Sequence, residues 1–263
     1  MSRKSSQRLS SRDLLTVEDD ARYFTELYQG QLDWTTSTRK RLYRQMDLFH
    51  AQQILEVGSG TGVILREIKS INPRARLIGL DQNLLALKYS QKIVANDTLI
   101  QGDGAVLPFS SQSFDIVLCH YFLMWVENPI TTLREMMRVT RNGGWIACLA
   151  EPDYGGRMDY PDNEIWMELL LNSISGADPF IGRKLRTYFY QIGLKAHVGL
   201  QSIVLPPEAV NNLYEAELAK LKRFCSPENH LKLDRLTQLF RSHKPGELFS
   251  FMPVLFAIAR KTA

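Results

Sequence analysis

The sequence lacks the features that mark membrane-spanning, disulfide-bonded and zinc-binding proteins. It contains no run of about 18 apolar residues, the length that a transmembrane helix needs. Its three cysteines, Cys119, Cys148 and Cys225, are odd in number and widely spaced, which argues against a disulfide framework or a zinc knuckle. The first residues also lack the apolar segment of a secretory signal. We therefore expect a cytoplasmic protein without a membrane span or a structural metal.

An excess of positive charge is also lacking once the first twelve residues are set aside. Arg3, Lys4, Arg8 and Arg12 lie there without an acidic neighbour, and they account for the whole formal charge of +4. The remaining chain is balanced and shows no linear basic cluster of the kind that marks nucleic-acid-binding domains. We interpret residues 1–12 as a disordered basic leader; a contact or targeting role is the alternative.

The stretch Ile54–Gly62, ILEVGSGTG, carries the strongest local signal. An apolar, partly β-branched run predicts a strand, three glycines follow at alternating positions, and the periodicity of VILREIKSI predicts a helix from Val63. Glycine allows positive φ and a close backbone approach, so this turn presents N–H groups and a helix N-terminus to a ligand. We expect a small, at least partly negative ligand on this loop.

The spacing of the glycines indicates which ligand. The dinucleotide fingerprint G-x-G-x-x-G would require glycine at Val63, whereas Gly58, Gly60 and Gly62 simply alternate. Glu56 would repel a pyrophosphate, but an acid beside a helix N-terminus suits a zwitterion with a carboxylate and an ammonium. The methionine end of S-adenosylmethionine carries that pair of groups.

The loop resembles the first motif, E/D-x-G-x-G-x-G, of the class I, seven-strand S-adenosylmethionine-dependent methyltransferases. Within them, the pattern is similar to the methyltransferase-11 group, which is ubiquinone- and menaquinone-biosynthesis-like. The resemblance implies that S-adenosyl-L-methionine is the cofactor. It also implies that the loop residues bind its methionine end: Glu56, Gly58, Ser59, Gly60 and Gly62.

A second acid follows at the distance expected for a ribose contact. Arg76–Leu80 is predicted to be a strand that ends at Asp81, which stands 19 residues after Gly62. A carboxylate at this place can accept hydrogen bonds from both ribose hydroxyls. The alternative for Asp81 is a helix N-cap, although Asn83 is the better-placed cap. Gln82 is a second candidate for the ribose.

A third acid matches the adenine motif of the resembled family. After a predicted strand at 99–102, the chain resembles the motif G-D-A-x-x-L-P-F, whose acid binds the adenine amino group and whose next N–H meets a ring nitrogen. Asp103 and Gly104 take these places, with Gly104 instead of the usual alanine. The alternative for Asp103 is an ordinary turn residue.

The residues after the fourth predicted strand, Phe114–Cys119, are expected to face the ligand crevice. His120 is the candidate there, as a general base, as a contact to cofactor or substrate, or as a structural residue. This place lacks the N/D-P-P-Y/F tetrad that the resembled family uses on nucleic-acid bases and glutamine. A helix at 129–139 and the turn at 141–144 resemble the family's L-x-E-x-x-R-V-x-K-P-G-G, with Asn142 in place of proline.

Together these segments predict an α/β fold: a doubly wound, Rossmann-like seven-strand sheet with helices on both faces. We expect an N-terminal helical cap at 13–49, a cofactor-binding core at 50–150 with its fifth strand at 145–150, and an acceptor or lid region at 151–263. The cap is predicted to contain two or three helices, broken near 30–38. Tyr23 and Trp34 either lie over the site or pack as ordinary aromatics.

The region after residue 150 is expected to recognise the methyl acceptor. Glu151, Asp153, Tyr154 and Arg157 are the candidates, with capping or solvated roles as the alternative. Helices are predicted at 163–173, 179–192, 208–224 and 227–243, a sixth strand at 193–205 and a last strand at 248–261. The two later helices form a helical insertion that either covers an acceptor pocket or only packs on the core.

These expectations favour a methyltransferase that moves a methyl group to oxygen, nitrogen or carbon of a small-molecule metabolite by in-line displacement. Alternatives are a macromolecule-directed methyltransferase, a cofactor-binding protein without turnover, and an NAD-dependent oxidoreductase. Arsenite methylation is a further option, but Cys119 and Cys148 fall on predicted core strands and are interpreted as structural. No nucleic-acid partner is expected, and the sequence leaves the acceptor and the oligomeric state open.

Overall fold

The computed structural model describes residues 18–94, 98–161, 164–174, 176–201, 207–224 and 227–262. The predicted leader and Cys225 lie outside the described residues, as does the side chain of Tyr23. The helices are α1 (Glu18–Gln45), α2 (Val63–Ile71), α3 (Leu84–Ile93), α4 (Pro129–Val139), α5 (Glu164–Ser173), α6 (Ile181–Gln191), α7 (Pro207–Phe224) and α8 (His230–Arg241). The strands are β1 (Gln53–Val57), β2 (Arg76–Asp81), β3 (Thr98–Gln101), β4 (Phe114–Cys119), β5 (Thr140–Pro152), β6 (Met158–Tyr160), β7 (His197–Gln201), β8 (Phe249–Phe251) and β9 (Val254–Arg260).

The main sheet has seven strands in the order β3-β2-β1-β4-β5-β9-β7. Strands β1 to β5 pair in parallel, while β9 runs antiparallel between β5 and β7. Alternate residues of β1 enter separate apolar clusters: Leu55 and Val57 pack with side chains of α4 and α6, and Ile54 packs with side chains of α1 and α2. The predicted doubly wound sheet with helices on both faces is therefore confirmed, and the carboxyl ends of β1, β2 and β4 meet at one edge.

Helix α1 is continuous, so the predicted break near residues 30–38 is wrong. Trp34 accordingly lies on a helix and not in a loop. Glycine inside a helix costs only about 1 kcal/mol relative to alanine. That cost is offset here because Leu32, Leu42 and Met46 are buried against the sheet.

The predicted last strand, 248–261, is two strands that belong to different sheets. β8 pairs with β6 in a separate two-stranded sheet, while β9 enters the main sheet. Pro253 lies between them and has no N–H to donate to a ladder. Strand β6 was not predicted, because its three residues lie inside a stretch rich in glycine and polar side chains.

Helices α5, α7 and α8 bury an apolar cluster of their own, which includes Trp166, Tyr214 and Phe240. In chain order, α7 and α8 stand between β7 and β9, where the helical insertion was expected. Within the described residues, no helix combines the length and the apolar character that crossing a membrane requires.

Candidate active site

The glycine loop lies between β1 and α2 and has the backbone geometry that only glycine adopts readily. Gly58, Gly60 and Gly62 have φ values of 75°, 50° and 80°. A Cβ at Gly58 would lie within 3.0 Å of three ring atoms of Phe122. The N–H groups of Gly58 and Ser59 donate to the carbonyl of Leu80, which fixes the loop against β2. Ser59 itself is buried.

Glu56, the acid that opens the loop, is buried near the carboxyl end of strand β1. Its Oε2 atom has no hydrogen-bond partner among the described residues. Burial, followed by the nearby charge of Asp81, raises the pKa of Glu56 well above its ordinary value. A buried carboxyl oxygen without a partner is costly. An incoming ammonium group would remove that cost, so the site fits the cation that the sequence analysis expected.

Asp81 ends β2 and contacts the glycine loop directly. Its Oδ2 accepts from the N–H of Gly60 at 2.8 Å, and its Oδ1 accepts from the N–H of Asn83 at 2.8 Å. Burial raises the pKa of Asp81. Asn83 caps α3, because its side chain accepts from two N–H groups of that helix, as the sequence analysis expected. Gln82 is exposed, and its backbone carbonyl accepts from the side-chain amide of Gln101 at 3.1 Å.

Asp103 and Gly104 follow β3 at the same edge of the sheet. Asp103 is exposed, and its Oδ1 accepts from the N–H of Ala105 at 2.9 Å. A Cβ at Gly104 would lie 3.0 Å from the Phe122 ring and 3.0 Å from Val57. The tight fit against Phe122 therefore gives a physical reason for glycine where the resembled motif has alanine.

His120 follows β4 and is half-buried. Its Nε2 lies 3.3 Å from the hydroxyl oxygen of Thr35 on α1. Burial, with a further contribution from the charge of Arg39, lowers the pKa of His120 well below its ordinary value. The imidazole is therefore neutral near pH 7 and is a weak base. The base role of His120 stays a prediction.

Thr35 and Arg39 contribute to this site and were missed by the sequence analysis. The Arg39 side chain is fully buried and forms an ion pair of 2.6 Å with Glu67 on α2. A signal was present in the sequence, because both residues fall on the same helical face as Leu32, Leu42 and Met46. A basic residue inside such an apolar stripe indicates a buried, paired charge.

Glu151, near the end of β5, holds the segment that follows β4. Its Oε1 accepts from the N–H groups of Phe122 at 3.0 Å and Leu123 at 2.8 Å. Its Oε2 is buried and has no hydrogen-bond partner among the described residues. Burial raises the pKa of Glu151 to about 7, against the opposing effect of the backbone N–H donors. Glu151 thus holds the backbone of Phe122, whose ring packs against Gly58 of the glycine loop.

Replacing Glu151 with glutamine is expected to weaken the pH dependence of stability. The pKa of Glu151 is about 7 in the folded chain, compared with an ordinary value of 4.5. The folded state therefore keeps a proton that the unfolded state releases, and the free energy of unfolding falls as pH rises through this window. Across this pH range the free energy of unfolding falls by about 3 kcal/mol at most. Glu151→Gln should remove this decrease.

Urea unfolding at several pH values between about 4.5 and 8 measures this difference. Glu215→Gln is the matched control, because Glu215 is exposed on α7 and should leave the wild-type slope unchanged. If Glu151→Gln gave the wild-type dependence on pH, the carboxyl group of Glu151 would not titrate in this range.

The other predicted acceptor residues are engaged by neighbouring side chains or backbone. Asp153 pairs with Arg183 through two hydrogen bonds of 2.6 and 2.7 Å. The fully buried Arg157 pairs with Asp159 at 2.7 Å and with Glu217 at 2.8 Å. These pairs tie the segment after β5 to α6 and α7, and a direct contact of either residue with an acceptor stays a prediction.

The structure also places the remaining predicted residues, which are Tyr154, Trp34 and the two described cysteines. Tyr154 and Trp34 are half-buried, and burial raises the pKa of Tyr154 to about 12. Cys119 and Cys148 are free, buried and adjacent on β4 and β5, as expected for structural residues. Within the described residues, no cluster of three or more His, Cys, Asp or Glu side chains is arranged to hold a metal ion.

Residues 55–148 match a family model described as a methyltransferase domain. The chain is 28% identical over 169 residues to an uncharacterised methyltransferase of Schizosaccharomyces pombe, covering 58% of this chain and 60% of that protein. It is 33% identical over 115 residues to the demethylmenaquinone methyltransferase of Staphylococcus carnosus, covering 42% of this chain and 48% of that protein. The chain thus spans less than two thirds of the length of these curated relatives.

The fold is similar to that of solved methyltransferase structures. One is phosphoethanolamine N-methyltransferase 2 of Haemonchus contortus in complex with S-adenosyl-L-methionine, with a TM-score of 0.55 and 14% identity. That comparison covers 87% of this chain and 53% of the other. At this level of identity the likeness concerns the fold alone.

Proposed function

We propose that this chain, whose residues 55–148 match a model of the methyltransferase domain, transfers a methyl group from S-adenosyl-L-methionine to a small-molecule acceptor. One observation carries the proposal: the buried Oε2 of Glu56, which has no hydrogen-bond partner among the described residues, stands beside the glycine loop. A ligand with an ammonium group would supply that partner.

The residues at the edge of the sheet fit the parts of that cofactor in order. Glu56 would take the ammonium group, and the N–H groups of the glycine loop would take the carboxylate at the start of α2. Asp81 would accept from the ribose hydroxyls. Asp103, which is exposed, would bind the adenine amino group, with Gly104 supplying a backbone contact. Gln82 is the further proposed ribose contact.

The remaining task of the protein is to place the acceptor in line with the transferable group. When bound, the sulfonium cofactor supplies an already activated methyl group. Well-oriented reactants reach effective molarities of about 10⁵ to 10⁸ M, so positioning alone can supply much of the rate. His120 and Tyr121, which follow β4, would face the expected transfer side, and Glu151 with the segment from Asp153 to Arg157 would shape the acceptor pocket together with Trp34 and Tyr23.

A small-molecule acceptor is favoured over a macromolecule by two observations on this chain. The tetrad that the family uses on bases and glutamine is absent after β4. The chain outside the first twelve residues carries no net charge, which gives no electrostatic attraction to a nucleic acid. An acceptor screen would determine whether oxygen, nitrogen or carbon accepts the methyl group.

Isothermal titration of the full chain with S-adenosyl-L-methionine, its demethylated product and NAD tests the cofactor. We expect the first two to bind and NAD to give no heat, because a diphosphate would meet Glu56. Binding of NAD alone would contradict the proposal. A screen of metabolite fractions with radiolabelled methyl donor then tests turnover, and label on nucleic acid or protein instead would favour a macromolecular acceptor.

A further inference from the structure

The turn that follows β4 has a strained backbone. Tyr121 has a φ of 50°, in the left-handed region that a residue with a bulky side chain rarely adopts. Phe122 returns to the right-handed region, with a φ of −115° and a ψ of −46°. Backbone strain of this kind persists only where the surrounding structure holds the residue in place. The contacts of this turn therefore show what holds it.

Three consecutive N–H groups of the turn are directed at the end of β5. The N–H of Tyr121 donates to the carbonyl of Ala150 at 2.8 Å. The N–H groups of Phe122 and Leu123 both donate to Oε1 of Glu151, at 3.0 and 2.8 Å. Successive N–H groups in a left-handed and right-handed pair of residues form a concave site for an anion. The buried carboxyl group of Glu151 occupies this concave site.

The ring of Phe122 lies between two glycines of the proposed cofactor site. A Cβ at Gly58 would lie 2.5 Å from the Cγ atom of the ring, and a Cβ at Gly104 would lie 3.0 Å from its Cζ atom. Opposite ends of one ring therefore border the loop proposed for the methionine half of the cofactor and the turn proposed for its adenine half. A shift of the Phe122 backbone would change both borders at once.

We propose that Glu151 is a positioning residue for the cofactor: it holds the turn at 121–123 through two N–H groups and so keeps the Phe122 ring in its place between Gly58 and Gly104. This role rests on the proposed function. Because an ionised oxygen accepts hydrogen bonds more strongly than a neutral one, Glu151 holds the turn more firmly when it is ionised. The affinity for the cofactor therefore depends on the ionisation of Glu151.

The carboxyl group of Glu151 ionises in the neutral pH range. Burial raises its pKa to about 7, against the opposing effect of the backbone N–H donors. In the described structure the titratable groups that face it are Cys119, whose Sγ lies 3.9 Å from Oε1, and Tyr121. A hydrogen bond with Cys148, together with burial, raises the pKa of Cys119, and burial raises the pKa of Tyr121. Both groups stay neutral near pH 7, so among the three only Glu151 changes its charge there.

Isothermal titration of the full chain with S-adenosyl-L-methionine, at pH values from about 5.5 to 8.5, compares the wild type with Glu151→Gln. Glutamine keeps an acceptor oxygen but carries no charge. We expect equal affinities at the acidic end and a wild-type affinity about three- to tenfold higher at the alkaline end. The pKa of Glu56 is also raised by burial, but Glu56 is present in both proteins and its contribution cancels. Equal affinities at the alkaline end would overturn the proposal.

A second substitution tests whether the effect passes through the ring. Phe122→Ala removes the ring but keeps the N–H that Glu151 accepts. In this background Glu151→Gln should no longer change the affinity at alkaline pH. An undiminished effect of Glu151→Gln without the ring would refute the path through Phe122. Phe122→Ala alone should also bind with a weaker dependence on pH than the wild type, which tests the proposal even if Glu151→Gln does not fold. Glu215→Gln, exposed on α7, is the control and should bind as the wild type does.

The same titrations separate this inference from the proposed function. Absence of cofactor binding to the wild type at every pH would refute the proposed function, and the cofactor role of Glu151 with it. Binding that is equally tight in the wild type and in Glu151→Gln at alkaline pH would refute the role of Glu151 and leave the proposed function intact.

Discussion

Asp81→Ala is expected to lower the affinity for S-adenosyl-L-methionine by about 100-fold or more. Two hydrogen bonds from ribose hydroxyls to a carboxylate would be lost, each contributing about 1.5 to 3 kcal/mol. The substitution also removes the acceptor for the N–H of Gly60, which lies 2.8 Å from Oδ2 of Asp81. The glycine loop would therefore lose a support at the same time as the ribose loses its partner.

Isothermal titration of the variant and of the wild type measures this effect. Asp81→Asn retains one acceptor oxygen and should fall between the two. Asp234→Ala, at an exposed position on α8, is the control for a general effect of removing a carboxylate. If Asp81→Ala bound the cofactor as tightly as the wild type, the assignment of this carboxylate to the ribose would be wrong.

Gly58→Ala is expected to abolish measurable cofactor binding and to lower the free energy of unfolding by about 2 to 5 kcal/mol. The φ of 75° strains any residue with a Cβ. The new methyl group would also overlap the Phe122 ring, which Glu151 holds in place through two backbone N–H groups at positions 122 and 123. Either the loop or the ring must move, and each borders the proposed cofactor site.

Gly193→Ala is the matched control for backbone strain. Gly193 has a φ of 81°, but a Cβ there meets no atom within 4 Å. We expect this control to cost about 1 kcal/mol of stability and to leave cofactor affinity unchanged. Thermal unfolding and isothermal titration of both variants separate strain from overlap. Wild-type affinity in Gly58→Ala would remove the loop from the site.

The parts of the fold that follow from short-range patterns could be predicted from the sequence. The loop at Gly58, Gly60 and Gly62 was predictable because strand, glycine turn and helix each have a local signature. The cap at Asn83 was equally local. The order of the strands required the resemblance to a family, because pairing between distant segments is not visible in periodicity.

The errors and omissions share a physical origin in tertiary packing. The polar and glycine-containing stretch near residues 30–38 predicted a break, but burial of one face of α1 outweighs the local preference. Arg39 was overlooked because a charge is normally exposed, and its partner Glu67 is 28 residues away in sequence. The β6–β8 pair joins segments about 90 residues apart, a separation at which no local pattern informs pairing.

The contact between Phe122 and two glycines links positions that are far apart in the chain. A Cβ at Gly58 would overlap the Phe122 ring, and a Cβ at Gly104 would lie 3.0 Å from the same ring and 3.0 Å from Val57. The size of the side chain at position 122 therefore limits which residues fit at positions 58 and 104. A homologue with alanine at position 104 should compensate with a smaller residue at position 122, so sequence variation at the two sites should be correlated through evolution.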